Sequence, residues 1–159
     1  MGGGLTERVI EHLRALVGAD TTNPPRAIGP EHPALVYARE RLESCGFGVE
    51  VRDLGDGSVN LHARRGRPST LINCHLDTVP ADGGWTRNPF DLAVEGDRAI
   101  GLGACDIKGA AACILTACET SRGDAGILLT TDEEAGSGRC VRTFVEEGLG
   151  AYSGVVVSE

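Results

Sequence analysis

Residues 71–80, Leu71-Ile72-Asn73-Cys74-His75-Leu76-Asp77-Thr78-Val79-Pro80, decide how this sequence is read. Leu71 to Cys74 is short and mostly apolar, which suits a central strand. His75 and Asp77 follow at once, two positions apart and so on one face of an extended segment. Beyond them, residues 77–91 are irregular and hold the only tryptophan, Trp85. The Ala-rich stretch from Lys108 to Thr120 reads as a helix, and Gly126 to Thr130 as a strand. Arg139 to Glu147 reads as a helix closed by Gly148, and Gly154 to Val157 as a last strand. Strands separated by helix-sized segments imply parallel βαβ units. The expected fold class is therefore α/β, a three-layer αβα sandwich with a largely parallel mixed sheet.

Upstream, Leu5, Val9, Ile10, Leu13, Leu16 and Val17 recur at helical spacing, with Thr6 as N-cap and Gly18 as the stop. A Pro-rich loop from Thr21 to Pro33 separates this helix from a second, which opens at Pro33 and runs to Cys45 before Gly46. Leu35, Ala38, Leu42 and Cys45 make its buried stripe. Phe47, Val49 and Val51 alternate with polar residues as a half-buried strand. After a turn at Asp56-Gly57, Asn60 to Arg64 reads as another strand. Ala93 to Leu102 reads as a hairpin around Gly96-Asp97.

With 159 residues, 41% of them hydrophobic, the chain has the size and composition of one folded domain. Its 23 acidic against 15 basic residues give a net charge of -8, which argues against nucleic-acid or anionic-membrane partners. No run of 18 apolar residues exists to span a bilayer. Met1 to Thr6 carries neither the basic nor the apolar region of a secretory signal. Six cysteines, at 45, 74, 105, 113, 118 and 140, contain no CxxC pair, so reduced thiols and a cytoplasmic location are expected. Val155-Val156-Val157 reads as a core strand, yet the sequence stops two residues later, at Glu159. Natural domains rarely stop at that edge of an interior strand, so a truncated chain is expected.

Four places put metal-binding or proton-transferring groups just past a strand or at a loop tip. These are His75 with Asp77, Asp106 in the Gly101–Gly109 stretch, the run Asp132-Glu133-Glu134, and Glu159. In a parallel sheet the carboxyl ends of neighbouring strands share one edge, so all four can converge on one cleft. One imidazole with several carboxylates suits zinc, cobalt or manganese better than copper or an iron–sulfur cluster. Each piece alone also has a plain structural role. His75 could be a hydrogen-bonded edge residue, Asp106 a cap for the helix at Lys108, the acidic run solvated charge at a helix start, and Glu159 a chain end. The glycines do not make a nucleotide loop. Asp106 stands where GxGxxG has its third glycine, and its charge would repel a pyrophosphate; no GxxxxGK follows.

In order, His75-Leu76-Asp77-Thr78-Val79-Pro80, Trp85-Thr86-Arg87-Asn88-Pro89-Phe90, Gly101 to Gly109 and Thr131-Asp132-Glu133-Glu134 resemble the motifs of a metallopeptidase superfamily. It contains acetylornithine deacetylase, succinyl-diaminopimelate desuccinylase, glutamate carboxypeptidase and the aminoacylases. Gly101-Leu102-Gly103 and Cys105 to Ala111 are most similar to acetylornithine and acetylcitrulline deacetylases. The resemblance implies a zinc-peptidase-like catalytic domain holding two divalent metal ions, zinc or else cobalt. It makes His75 and Glu159 ligands of one metal, Asp106 the bridge and Glu134 a ligand of the second. Asp77 would support His75, and Glu133 would be the general base. The implied reaction is amide hydrolysis of a small N-acyl amino acid, N-acetylornithine in arginine biosynthesis first. Acetylcitrulline, succinyl-diaminopimelate or a dipeptide are the alternatives, and a non-catalytic metal-binding fragment is a further one.

Members of the superfamily continue past the position of Glu159 through a smaller lid and dimerisation domain, then return to supply a last His ligand. Residues 1–159 therefore correspond to the N-terminal part of the catalytic domain. The full-length protein would be a homodimer. His12, His32 and His62 all precede the first motif, and none matches the last ligand.

Overall fold

In a computed structural model that describes residues 4–25, 28–147 and 152–159, the chain opens with two helices, α1 (Leu5–Gly18) and α2 (Pro33–Ser44). Three strands follow: β1 (Gly48–Gly55), β2 (Ser58–Arg65) and β3 (Thr70–His75). A small hairpin, β4 (Ala93–Glu95) and β5 (Arg98–Ile100), turns at Gly96-Asp97 as the sequence suggested. Then come α3 (Lys108–Thr120), β6 (Ala125–Thr130), α4 (Arg139–Glu146) and β7 (Gly154–Val157). The expected helix stop at Gly148 lies outside the described residues.

The five long strands form one sheet in the order β1-β2-β6-β3-β7. β3 runs parallel to both of its neighbours, β6 and β7, while β2 runs antiparallel to both of its own, β1 and β6. Only β2 is reversed, so the sheet is mixed and largely parallel. From β3 the chain crosses through α3 to β6 on one side, then through α4 to β7 on the other. The strand order thus reverses at β3, and the residues just past the carboxyl ends of β3, β6 and β7 share one edge. Ligands of open α/β sheets bind at such an edge.

Period-two alternation sorts the sheet's two faces. Val59, Leu61 and Ala63 of β2, Cys74 of β3, and Ile127 and Leu129 of β6 join one core with Leu16 of α1, Leu35 and Leu42 of α2, and Leu115 of α3. Each buried Val, Leu or Ile among them contributes roughly 1.5–3 kcal/mol of hydrophobic free energy. The alternate residues of β2 face α4. Asn60 donates from Nδ2 to the Cys140 carbonyl at 3.0 Å. His62 meets Phe144 edge-on, with centroids 5.1 Å apart. Three helices on one face and one on the other complete the three layers.

Two local expectations are corrected. Thr6 does not cap α1: the N-cap is Gly4, two residues earlier, and the Glu7 carboxylate accepts the Gly4 amide at 3.0 Å. Val155, Val156 and Val157 form a strand, but at the edge of the sheet rather than in its core, and remain 46%, 53% and 56% exposed. β3 is the one strand paired with them among the described residues. All six cysteines are free thiols.

Candidate metal centre

His75 is the last residue of β3, and its backbone aligns with Thr130 of β6. Parallel pairing continues one step further, since the Leu76 amide donates to the Thr130 carbonyl at 2.8 Å. That step buries Leu76 and turns the chain so that His75 and Asp77 stay together. The His75 ring is 3% exposed. Its Nδ1 lies 3.1 Å from the Asp77 carbonyl and 3.4 Å from Asp77 Oδ1, while Nε2 lies 3.2 Å from Asp106 Oδ1. Burial alone would lower the imidazole pKa, but the hydrogen bonds and charge of Asp77, with Glu133 behind, raise it to about 9.

Asp77 is fully buried and does more than face His75. Its Oδ1 accepts the Glu133 amide at 3.3 Å and its Oδ2 the Glu134 amide at 2.8 Å. One carboxylate from the β3 edge thereby fixes the turn that follows β6. Two further bonds lace this corner to the Pro-rich loop: Thr21 Oγ1 donates to the Leu76 carbonyl at 2.7 Å, and Asn23 Nδ2 to the Thr131 carbonyl at 2.7 Å.

Asp106 arrives on the loop before α3. Gly103 makes that loop possible: its φ is +75°, and a Cβ there would lie 2.6 Å from Thr78 Cγ2. Asp106 does not cap α3. The N-cap is Ile107, which makes no side-chain cap bond, and the Asp106 side chain is 69% exposed while it reaches His75. The acidic run is not solvated charge at a helix start either. α4 begins only at Arg139, and Asp132 is buried whereas Glu133 is exposed. Burial, with the negative charges of Asp106 and Glu133, raises the Glu134 carboxyl above its usual range, and His75 pulls the other way.

Glu159 follows β7, placed by a bond from the Ser158 amide to the Asn73 carbonyl at 2.9 Å. It lines a hollow of about 210 Å³ together with His75, Asp132, Glu133, Val141 and Val157. Its charge also reaches Cys74. Burial, then Glu159 and Asp106, push that thiol up to about 12.

The structure thus joins His75, Asp77 and Asp106 by direct contact, hangs Glu133 and Glu134 on Asp77, and sets Glu159 across the hollow from His75. Among the described residues no three His, Cys, Asp or Glu side chains already stand in an arrangement that could hold a metal ion. The donor chemistry nevertheless fits a divalent cation of the zinc or cobalt kind, which takes imidazole and carboxylate ligands. The mutual repulsion felt at Glu134 is what such a cation would relieve. Trp85 and Phe90, half-buried, lie apart from this edge; Trp85 lines a separate hollow with Asp82, Arg87 and Ile100.

Reading the residues alone placed Asp132 in the acidic run but not its role: it lines the hollow while its carboxylate is tied inward. Lys108, which is fully buried and donates from Nζ to the Ala19 carbonyl at 3.0 Å, was missed. A charged residue inside an acidic run or at a helix start carries no sequence signal of burial.

Comparison with known proteins bears on the family and the fold. The family model described as peptidase family M20/M25/M40 matches residues 71–159. An N-acetyl-L-citrulline deacetylase of Xanthomonas campestris pv. campestris is 48% identical over 155 residues, 98% of this chain and 42% of that protein. An acetylornithine deacetylase of Myxococcus xanthus is 36% identical, over 92% of this chain and 40% of that protein. A succinyl-diaminopimelate desuccinylase of Gluconacetobacter diazotrophicus is 43% identical, over 84% and 38%. The chain therefore spans about two-fifths of the length of these relatives. Among solved structures, human carnosine dipeptidase 1 superposes with a TM-score of 0.83 at 20% identity, over 96% of this chain and 38% of that one. An M20 family metallo-carboxypeptidase from Sulfolobus solfataricus gives 0.78 at 22%, over 94% and 37%. At those identities the structures speak for the fold alone.

Proposed function

The chain belongs to peptidase family M20/M25/M40, and from that premise we propose that the His75–Asp106 edge serves metal-dependent hydrolysis of the amide bond of an N-acyl amino acid. One observation carries the reading. A buried carboxylate, Asp77, touches His75 and also holds the amides of both Glu133 and Glu134, so an imidazole and two adjacent carboxylates are presented at one strand edge. The deacetylases among the relatives support the hydrolysis of an N-acyl amino acid.

His75 and Glu159 would hold one divalent cation, Glu134 a second, and Asp106 would stand between them; zinc is the first choice. Two bound cations would polarise the scissile carbonyl and ease ionisation of the attacking water. The chain's own residues supply the rest. Asp77 keeps His75 oriented by accepting at Nδ1, which leaves Nε2 facing Asp106. Glu133, exposed beside the hollow and bonded among the described residues through its backbone to Asp77 and Gly136, is free to take a proton from water on Oε and deliver it to the departing amine. Two neighbouring glutamates are needed because one would be engaged with a cation while the other titrates.

The substrate proposal favours N-acetyl-L-citrulline over N-acetyl-L-ornithine, because the acetylcitrulline deacetylase is the more similar of the two relatives. A desuccinylase reading comes next, on the 43% identical relative. The test is a panel of N-acetyl-L-citrulline, N-acetyl-L-ornithine and N-succinyl-L-diaminopimelate offered to the zinc-loaded protein, with primary amine release as the readout. Fastest turnover of acetylcitrulline is expected. Hydrolysis of none of the three, with zinc bound, would contradict the proposal.

A further inference from the structure

Asp132 is the one carboxylate of the Asp132-Glu133-Glu134 run that the proposed reaction leaves without a task. It is 2% exposed, and three donors converge on a single one of its oxygens, Oδ2. These are Ser58 Oγ at 3.0 Å, Ser137 Oγ at 2.6 Å and the Cys140 amide at 3.0 Å. Burial alone would raise this carboxyl, but the bonds from Ser137, Cys140 and Ser58 hold it below its usual range. The donors come from different elements: Ser58 opens β2, and Ser137 and Cys140 flank the start of α4. That helix begins after Gly138, which has a left-handed backbone and no side chain to cap it. Asp132 supplies the missing acceptor from six residues upstream.

We propose that Asp132 is a positioning residue: by closing the 132–140 turn onto β2 and α4, its Oδ2 fixes the backbone from which Glu133 and Glu134 reach the site. The inference rests on the roles proposed above for those two glutamates. From the β3 side, Asp77 grips the Glu133 and Glu134 amides, and within the turn the Gly136 amide donates to the Glu133 carbonyl at 2.8 Å. The turn is therefore clamped at both ends by a buried carboxylate. Remove Asp132, and the segment from Glu133 to Gly138 keeps Asp77 at its start and, at its end, the bonds of Arg142 to the Ser137 and Gly138 carbonyls.

The test compares amide hydrogen exchange and Co²⁺ binding in the full chain and in Asp132→Ala, Asp132→Asn and Ser137→Ala. In Asp132→Ala the Glu133, Glu134 and Cys140 amides should exchange about tenfold faster or more, while the Leu61 amide in β2 stays as it was. Co²⁺ affinity should fall roughly 10–100-fold, with a changed visible absorption spectrum. Asparagine can set its carbonyl oxygen where Oδ2 sits, so Asp132→Asn should keep exchange and cobalt affinity within about threefold of the parent. Wild-type exchange at Glu133 and Glu134 in Asp132→Ala would overturn the proposal, leaving Asp132 a cap for α4 only. Loss of cobalt in Asp132→Asn with exchange unchanged would also overturn it, because charge rather than position would then be at work. If the parent chain takes up no cobalt, the metal reading fails, while the exchange rates still decide the positioning. If Asp132→Ala does not fold, Ser137→Ala decides: about threefold faster exchange at Glu133 and Glu134 supports the role, and none refutes it.

Discussion

At the scale of single residues, the edge divides its labour between carboxylates held inward and carboxylates left outward. Asp77 is buried and saturated with backbone donors, whereas Glu133, on the same turn, faces the hollow. Under the proposed chemistry Glu133→Gln lowers kcat/KM by about 10²–10⁴, with zinc content unchanged, as measured by steady-state kinetics beside elemental analysis. Loss of zinc together with turnover would make Glu133 a ligand instead. Asp77→Ala acts differently. It leaves the part-buried Glu133 and Glu134 amides without their carboxylate acceptor and His75 with the residue-77 carbonyl but without the carboxylate at Nδ1, so thermal unfolding should report a loss of about 1–3 kcal/mol together with weaker zinc binding. The residues of the proposed site, His75, Asp77, Asp106, Glu133, Glu134 and Glu159, were all chosen from the sequence, because motif order and strand ends point to them. Asp132 was visible only as part of the acidic run; its inward role was not, because its burial depends on Ser58, 74 residues away.

Between elements, the fit of the Gly101–Gly109 loop against β3 governs where Asp106 lies. Gly103→Ala would force a Cβ to 2.6 Å from Thr78 Cγ2 at a φ of +75°, so a cost of roughly 1–3 kcal/mol and a displaced Asp106 are expected. Chemical denaturation and cobalt affinity should both register the change. The contact of β2 with α4 carries a pH signature. Burial lowers the His62 pKa, with Glu50 opposing and Arg64 assisting. As pH falls below about 6.5 the unfolded chain takes up a proton that folded His62 resists, so stability declines on the acid side and is fully present above. His62→Gln should flatten that part of the stability–pH curve; an unchanged slope would place its origin elsewhere. Elements themselves were legible from periodicity, and α2, α3 and β3 fall close to where their patterns put them. The cap of α1 was not, since Thr6 looks like an N-cap while Gly4 and Glu7 perform that role together.

For the molecule as a whole, most of the core lies away from the candidate centre, and only Cys74, Leu76 and Ile107 of it flank the proposed ligands in the chain. Leu16, Leu35, Leu42, Leu61, Leu115 and Leu129 join three helices to the sheet, and none of them touches the cleft's ligand set through a hydrogen bond. Under the proposed chemistry, chelation should abolish hydrolysis by the full-length protein while leaving this part of it folded. Added zinc should raise Tm by the binding free energy alone, a few degrees at saturating metal for a domain of this size. The layers and the largely parallel sheet followed from the alternation of strands and helices. The place of β7 did not, because three consecutive valines look alike at a sheet edge and in a core. No helix among the described residues is long and apolar enough to cross a membrane. The most direct measurement is the zinc content of the dialysed chain beside that of His75→Ala, by elemental analysis. At least about one tightly held zinc per chain, lost in His75→Ala, is expected of an imidazole–carboxylate centre. Equal zinc in the two proteins, or none in either, would contradict a metal centre at the end of β3.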